Sequence, residues 1–247
     1  MIQSLTDEEM EIAARCSYRY LRKSMSKDES EKPSKEIQKK IAKSMAKRHL
    51  VAGNGNKQNA LTKMKNTIQF RSEMNVDGLR LCYDEENIES GDKEYQKLRE
   101  GLDNEMLTPV CQIRGYDKDF RAPINAIVNE KTDGIFHPVE YVRIHLYMIE
   151  RALACQERRT GGEEDCRFVI ITDCNNFSLA CGPPPSISKK MIELLANHYP
   201  ERLHKFFFVD TPLIFRVFWN IVKYFLDPVT AAKISFVTGE VRHIKTL

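Results

Sequence analysis

Hydrophobic positions follow two different periods along this chain, and the change comes near residue 105. Before it the spacing is helical. Thr6 precedes "DEEMEIAARCSYRYLRKSM", with acids in the first turn and bases in the last, as a capped helix requires. "KEIQKKIAKSMAKRHLVAG" repeats Ile37, Ile41 and Met45 one turn apart and ends near Gly53, and "KQNALTKMKNTIQFRSEM" predicts a further helix. The breaks are "SKDESEKPS" and "NGN". Residues 1–75 therefore predict a small all-helical domain, and residues 76–104 an irregular acidic connector with one short helix at "EYQKLREGL".

From 105 to 247 strands and helices alternate. "LTPVCQIRGYD" and "RAPINAIVNE" predict two strands joined at Lys118–Asp119. "EYVRIHLYMIERALACQERR" is a long helix with Ile144, Met148 and Ala152 on one face. "RFVIITD", "SISKKMIELLANHY", "KFFFVDT", "PLIFRVFWNIVKYFL" and "ISFVTG" continue as strand, helix, strand, helix, strand. Such alternation predicts an α/β lobe with a mostly parallel sheet and helical crossovers.

The helix expected at 212–226 is unusual. Thr211 caps it, Pro212 suits its first position, and Asp227–Pro228 ends it. Its polar residues, Arg216, Asn220 and Lys223, form one narrow stripe. The rest, including Phe215, Phe218, Trp219 and Phe225, is apolar, far beyond the ~100° stripe of an ordinary surface helix. Two readings stand: a helix buried on nearly all sides, or one that lines an internal cavity and meets a membrane on its other side. The charges within 206–226 exclude a membrane span, which needs roughly 20 mostly uncharged apolar residues.

Charge changes the picture at the N-terminus. The net charge is only +3, yet residues 1–65 hold 15 Lys/Arg against 8 Asp/Glu. The bases of "KEIQKKIAKSMAKRH" read either as the solvated side of a packing helix or as a contact for an anionic membrane surface. With no aromatic platform beside them, nucleic acid is not an expected partner. Seven cysteines without a CxxC spacing, and an N-terminus with no secretory pattern, predict free thiols in a cytoplasmic protein and no metal site. There is no P-loop and no GxSxG, so no catalysis and no cofactor are expected.

Near the C-terminus Glu201 and Arg202 stand directly before three phenylalanines, an acid and a base at the mouth of an apolar strand that includes Phe208. The whole run, "YPERLHKFFFVDTP…FWNIVKYFLDPVTAAKI", resembles the core of the CRAL-TRIO, or Sec14-like, lipid-binding family. "IITDCNNFS" is similar to that family's central strand, "GYDKDFRAPI" to its early hairpin with Phe120 where Gly is usual, and "MKNTIQFR" to the end of its helical N-terminal domain. The resemblance spans about residues 40–239.

It implies a sheet flooring an apolar pocket, a moving gate at 212–226, and a lipid as ligand. In phosphatidylinositol-binding relatives the residues matching Arg71, Glu201, Thr230 and Lys233 surround the inositol phosphate, with Arg202 beside them. The alternative is a structural Arg71–Glu201–Lys233 network joining the two domains. Relatives that also exchange phosphatidylcholine carry small hydroxyl residues where this chain has Phe168 and Ile170, which argues against a choline site. The expected function is non-enzymatic binding and transfer of a phospholipid, phosphatidylinositol first, by a monomer in transient contact with membranes. The alternatives are a carrier of a tocopherol-like or sterol-like hydrophobe and a protein-binding scaffold.

Overall fold

The computed structural model describes residues 1–106, 110–128, 138–180 and 183–238; Cys181 and the chain beyond 238 lie outside the described residues. Four helices open the chain: α1 (Asp7–Ala14), α2 (Tyr18–Ser24), α3 (Lys35–Ala52) and α4 (Lys57–Glu73). Thr6 and Glu9 close a reciprocal capping box on α1, with each side chain accepting from the other's backbone N–H, at 3.1 and 2.8 Å. The expected single helix over 7–25 is two, because Ser17 caps a new start by accepting from the N–H of Tyr20. Met10 and Ala13 of α1, Met45 of α3, and Met64 and Ile68 of α4 form a small core.

The connector is not irregular. It folds as α5 (Val76–Leu81), α6 (Glu85–Glu89) and α7 (Lys93–Met106). Leu79, Cys82, Leu98 and Leu102 from this stretch join the main core, so it packs as part of the lobe. Its acidic residues form the outer faces of short helices, which is why the composition reads as a linker.

The lobe is built on five strands: β1 (Val110–Ile113), β2 (Pro123–Ile127), β3 (Phe168–Asp173), β4 (Leu203–Val209) and β5 (Ile234–Val237). They lie in chain order, with β1–β2 antiparallel and every later pairing parallel. The β1–β2 turn is held by Asp117, whose carboxylate accepts from the N–H groups of Asp119 and Arg121 at 2.9 and 2.8 Å. Phe120 within it has φ +60°, a left-handed conformation in which glycine is unstrained.

The parallel strands are joined through α8 (Pro138–Thr160), α9 (Pro185–His198), and α10 (Phe215–Val222) followed by α11 (Pro228–Ala231). Right-handed crossovers that advance in one direction put all their helices on one face of a sheet. Alternation along the strands then turns Ile124, Ile170 and Phe206 toward those helices. Cys82, Cys111, Cys166 and Cys174 are buried free thiols. No helix among the described residues is long and apolar enough to cross a membrane.

The expected gate helix is shorter than read. Its regular part begins at Phe215, and Pro212 precedes it without occupying its first turn. Lys223–Phe225 continue as a 3-10 turn. It is not apolar all round in its packing either. Phe215 and Val222 are buried, whereas Leu213, Val217 and Tyr224 are exposed by 76, 50 and 79%.

Candidate functional site

Between the sheet and its helices lies a cavity of about 610 Å³. Its floor is Ile124, Ala126, Ile170, Thr172, Phe206 and Phe208, two alternate residues from each of three adjacent strands. One wall is a single stripe of α8, formed by Tyr141, His145, Met148 and Ile149. A second wall is Met191, Ile192 and Leu195 of α9. Phe215, Phe218, Ile221 and Val222 of α10 close it, and Phe177 meets Phe215 edge-on at 5.0 Å. Ile170 and Phe206 face the helices yet are only half-buried, because their free surface looks into this space. The volume suits one mid-sized apolar guest. Among the described residues no group of three His, Cys, Asp or Glu is placed to hold a metal ion.

Residues 108–246 match the family model of the CRAL/TRIO domain. The chain belongs to the CRAL/TRIO domain family. It is 30% identical over 164 residues to phosphatidylinositol transfer protein CSR1 of Eremothecium gossypii, covering 62% of this chain and 34% of that one. It is 27% identical over 205 residues to phosphatidylinositol transfer protein PDR17 of Saccharomyces cerevisiae, covering 80% of this chain and 53% of that one. The chain thus spans about a third of the length of the first curated relatives it matches. The crystal structure of Sfh5 has the same fold, with a TM-score of 0.61 at 18% identity over 94% of this chain and 81% of that one.

Within this CRAL/TRIO lobe the expected pocket residues divide. Ile170, Phe208, Phe215 and Phe218 line the cavity. Phe168 does not; it is fully buried in the main core with Leu203 and the inner face of α8. Trp219 stands behind the wall, edge-on to Phe208 at 5.9 Å and to Phe236 at 5.1 Å. Phe225 sits in the turn after α10, with the Lys189 ammonium 5.9 Å from its ring centre.

The five expected headgroup residues also divide, and none of them lines the cavity. Arg71 is 5% exposed and donates from Nη1 to Glu150 Oε1 at 2.8 Å, with Asp77 at 3.5 Å. It pairs with neither Glu201 nor Lys233. Glu150 also meets Arg80 Nε at 3.0 Å and accepts from the Tyr199 hydroxyl at 2.7 Å. Burial pushes the Glu150 carboxyl up, but the Arg71 and Arg80 guanidiniums beside it more than reverse that and hold it at about 2.

Arg202 does not face solvent. It donates to Glu163 and to the carbonyls of Glu163 and Cys166, and the same Glu163 carboxylate accepts from Arg48 at 3.1 Å. Two buried Arg–Glu–Arg groups therefore join the N-terminal helices to the lobe.

Glu201, Thr230 and Lys233 remain at one end of the sheet. Glu201, with φ +60°, lies just before β4, and Lys233 lies just before β5, its carbonyl accepting from the Phe206 N–H at 2.9 Å. Their side chains make no hydrogen bond or ion pair among the described residues. Thr230 donates to Asp227, which caps α11 by accepting from the N–H groups of Val229 and Thr230. Sequence reasoning missed Glu150, Glu163, His145 and Thr172. The signal for Glu150 was its place on a helix packed on two sides, where any acid needs a partner. His145 and Thr172 carried none beyond being polar on an apolar face.

Proposed function

We propose that the protein binds a phospholipid, phosphatidylinositol first, and carries or presents it between membranes without catalysis. The observation that supports this best is an apolar cavity closed by a helix whose outer side is itself apolar and exposed. A lipid tail fits the inside, and a bilayer can cover the outside when the helix moves. Lys233 and Glu201 supply a compact cation and an acceptor with no competing partner among the described residues, at the same end of neighbouring strands. They suit a phosphate oxygen and inositol hydroxyls respectively. The names of the curated relatives point the same way. Ile170 on the floor offers a choline headgroup no polar partner.

A second reading has its own observation. No expected headgroup residue lines the cavity, so a neutral hydrophobe would use everything the cavity offers. Mass spectrometry of lipid extracted from the purified protein separates the two, and an empty cavity favours a scaffold. The phosphatidylinositol reading expects Lys233→Ala to lower phosphatidylinositol transfer between vesicles by one to two decades. Its melting temperature should match wild type. Phosphatidylcholine transfer should be slight in both proteins. Unchanged phosphatidylinositol transfer by folded Lys233→Ala would remove this assignment.

A further inference from the structure

A mostly parallel sheet carries apolar side chains on both faces, and each face needs a layer to cover it. In this lobe the crossover helices all lie on one face. Alternation along the strands turns Val169 and Ile171 of β3, Phe207 of β4 and Val237 of β5 to the other. These residues belong to none of the apolar cores formed by the described residues. Ile171 and Phe207 are side by side in register, and both are only half-buried. One end of the same face is basic. Lys205 pairs in register with Val169, Arg167 comes just before β3, and Lys233 stands next to Lys205 across the sheet. The Arg167 and Lys205 side chains make no hydrogen bond or ion pair among the described residues. Arg121, just before β2, is already held by Asp117 and Asp119, at 2.9 and 2.8 Å. His204, which a bulge leaves without a partner on β3, senses the field of these cations. Burial, and then Arg121, Arg167 and Lys205, push its pKa down against the opposing Asp117.

Neighbouring strands lie about 4.8 Å apart, and a helix rises about 5.4 Å per turn. A helix laid across the strands therefore offers about one side chain per turn to each strand. Acids along one flank would meet Arg167 and Lys205, and apolar residues on the underside would cover Ile171 and Phe207. We propose that this face docks an acidic amphipathic helix of a partner protein. A second copy of the chain has no such helix to offer, since the acidic α1 and α7 already bury their apolar sides in its own cores. A bilayer fits less well, because it covers what protrudes, whereas Ile171 and Phe207 are half-sunk between their neighbours. The exposed stripe of α10 also lies beyond the opposite face of the sheet. Lys233 is next in the row and stays with the headgroup, so docking and lipid binding use separate residues.

Fluorescence anisotropy of a labelled helical peptide of about five turns tests this. The peptide carries one Glu per turn beside a Leu stripe, and a control has Lys in place of each Glu. The acidic peptide should bind the full chain with a Kd of about 10–100 μM, at least tenfold tighter than the basic one. Arg167→Glu with Lys205→Glu should weaken it by about tenfold or more, and leave bound lipid and melting temperature near wild type. Arg167→Gln with Lys205→Gln should lose less, and Phe207→Ser should weaken it as well. Equal binding of the two peptides by the wild type overturns the proposal, as does no binding of either. So does acidic-peptide binding that survives both charge variants. Self-association in sedimentation that the Glu variant abolishes would assign the face to a second copy. Binding to phosphatidylserine vesicles that the same variant abolishes would assign it to a bilayer. Either result also overturns the proposal.

Discussion

Arg71 of α4 donates to Glu150 of α8 at 2.8 Å, and the two side chains are 5% and 2% exposed. The pair ties the helical N-terminal region to the lobe, with Arg80 and Tyr199 on the same carboxylate. Glu163 repeats the arrangement with Arg48 and Arg202. Each carboxylate thus lies between two buried guanidiniums, and Asp77 adds a more distant charge at 3.5 Å from Arg71 and 3.9 Å from Arg80. A buried pair of this kind is a weak source of net stability, but removing one member is severe.

Glu150→Ala should therefore lower stability by about 3–5 kcal/mol, because two buried guanidiniums lose their nearest counter-charge and keep only the more distant Asp77. Urea unfolding followed by circular dichroism measures this. Replacing Arg71, Glu150 and Arg80 together by Met, Leu and Met should recover most of the loss. A single Glu150→Ala variant as stable as wild type would show that the seam is held elsewhere.

The same seam sets an acid limit. His49 is 1% exposed, and its ring accepts from Thr67 at 2.9 Å while bonding the Met45 carbonyl at 3.0 Å. Burial pushes its pKa down to about 4, and that of His198 to about 4 as well. An unfolded histidine titrates near 6.5, so between about 6.5 and 4 the unfolded state binds more protons than the folded one. Stability is fully present above that window and is lost as pH falls through it, by up to about 3 kcal/mol for His49. Urea midpoints at pH 7 and pH 4.5 should differ accordingly, and less so in His49→Gln. Equal midpoints in the wild type would contradict the buried neutral imidazole.

The alternation of strands and helices after residue 105 was legible because α8 and α9 are long and the strands between the helices are strongly apolar runs. Of the helices over 76–104, α7 was legible at "EYQKLREGL", but α5 and α6 were not, since helices of six and five residues give too few turns for a period to show. The motif around "YPER" located the start of β4 correctly but not the partner of Arg202. That partner, Glu163, lies 39 residues upstream in a loop whose acidic run reads as solvated surface. Arg71 was likewise singled out, yet its partner Glu150 is 79 residues away. Side-chain pairing across such separations depends on how layers stack, and no local period encodes it.

Phe120 carries a further consequence of local geometry. Its φ of +60° is unfavourable for a side chain with a Cβ, by about 1–2 kcal/mol. Glycine removes that strain but adds about 0.5–1 kcal/mol of unfolded-state freedom. Because Phe120 is half exposed, little burial is lost. Phe120→Gly should therefore be neutral or raise stability by up to about 1 kcal/mol in urea unfolding. A clear loss would mean that the ring has packing partners outside the described residues.

The outer side of α10 makes the strongest demand on function. Leu213, Val217 and Tyr224 present an exposed apolar stripe, while Phe215 and Phe218 of the same segment face the cavity. Arg216 and Asn220 are exposed beside that stripe, and Lys223 donates to Asn220 at 2.9 Å. If the inner residues hold a lipid and the outer ones meet a bilayer, as proposed above, one movement of this helix would open the cavity where the lipid can leave. The chain on either side supplies the breaks such a movement needs, at Thr211–Pro212 and Asp227–Pro228. Leu213→Asp with Val217→Asp should cut intermembrane transfer by tenfold or more, since burying each native side chain is worth about 1.5–3 kcal/mol. Lipid content of the purified variant should stay near wild type, because neither residue lines the cavity. A fluorophore at Val217 should shift to the blue when vesicles are added. Transfer at the wild-type rate by this variant, with an unshifted fluorophore, would make α10 a fixed wall and move the opening to another side of the cavity.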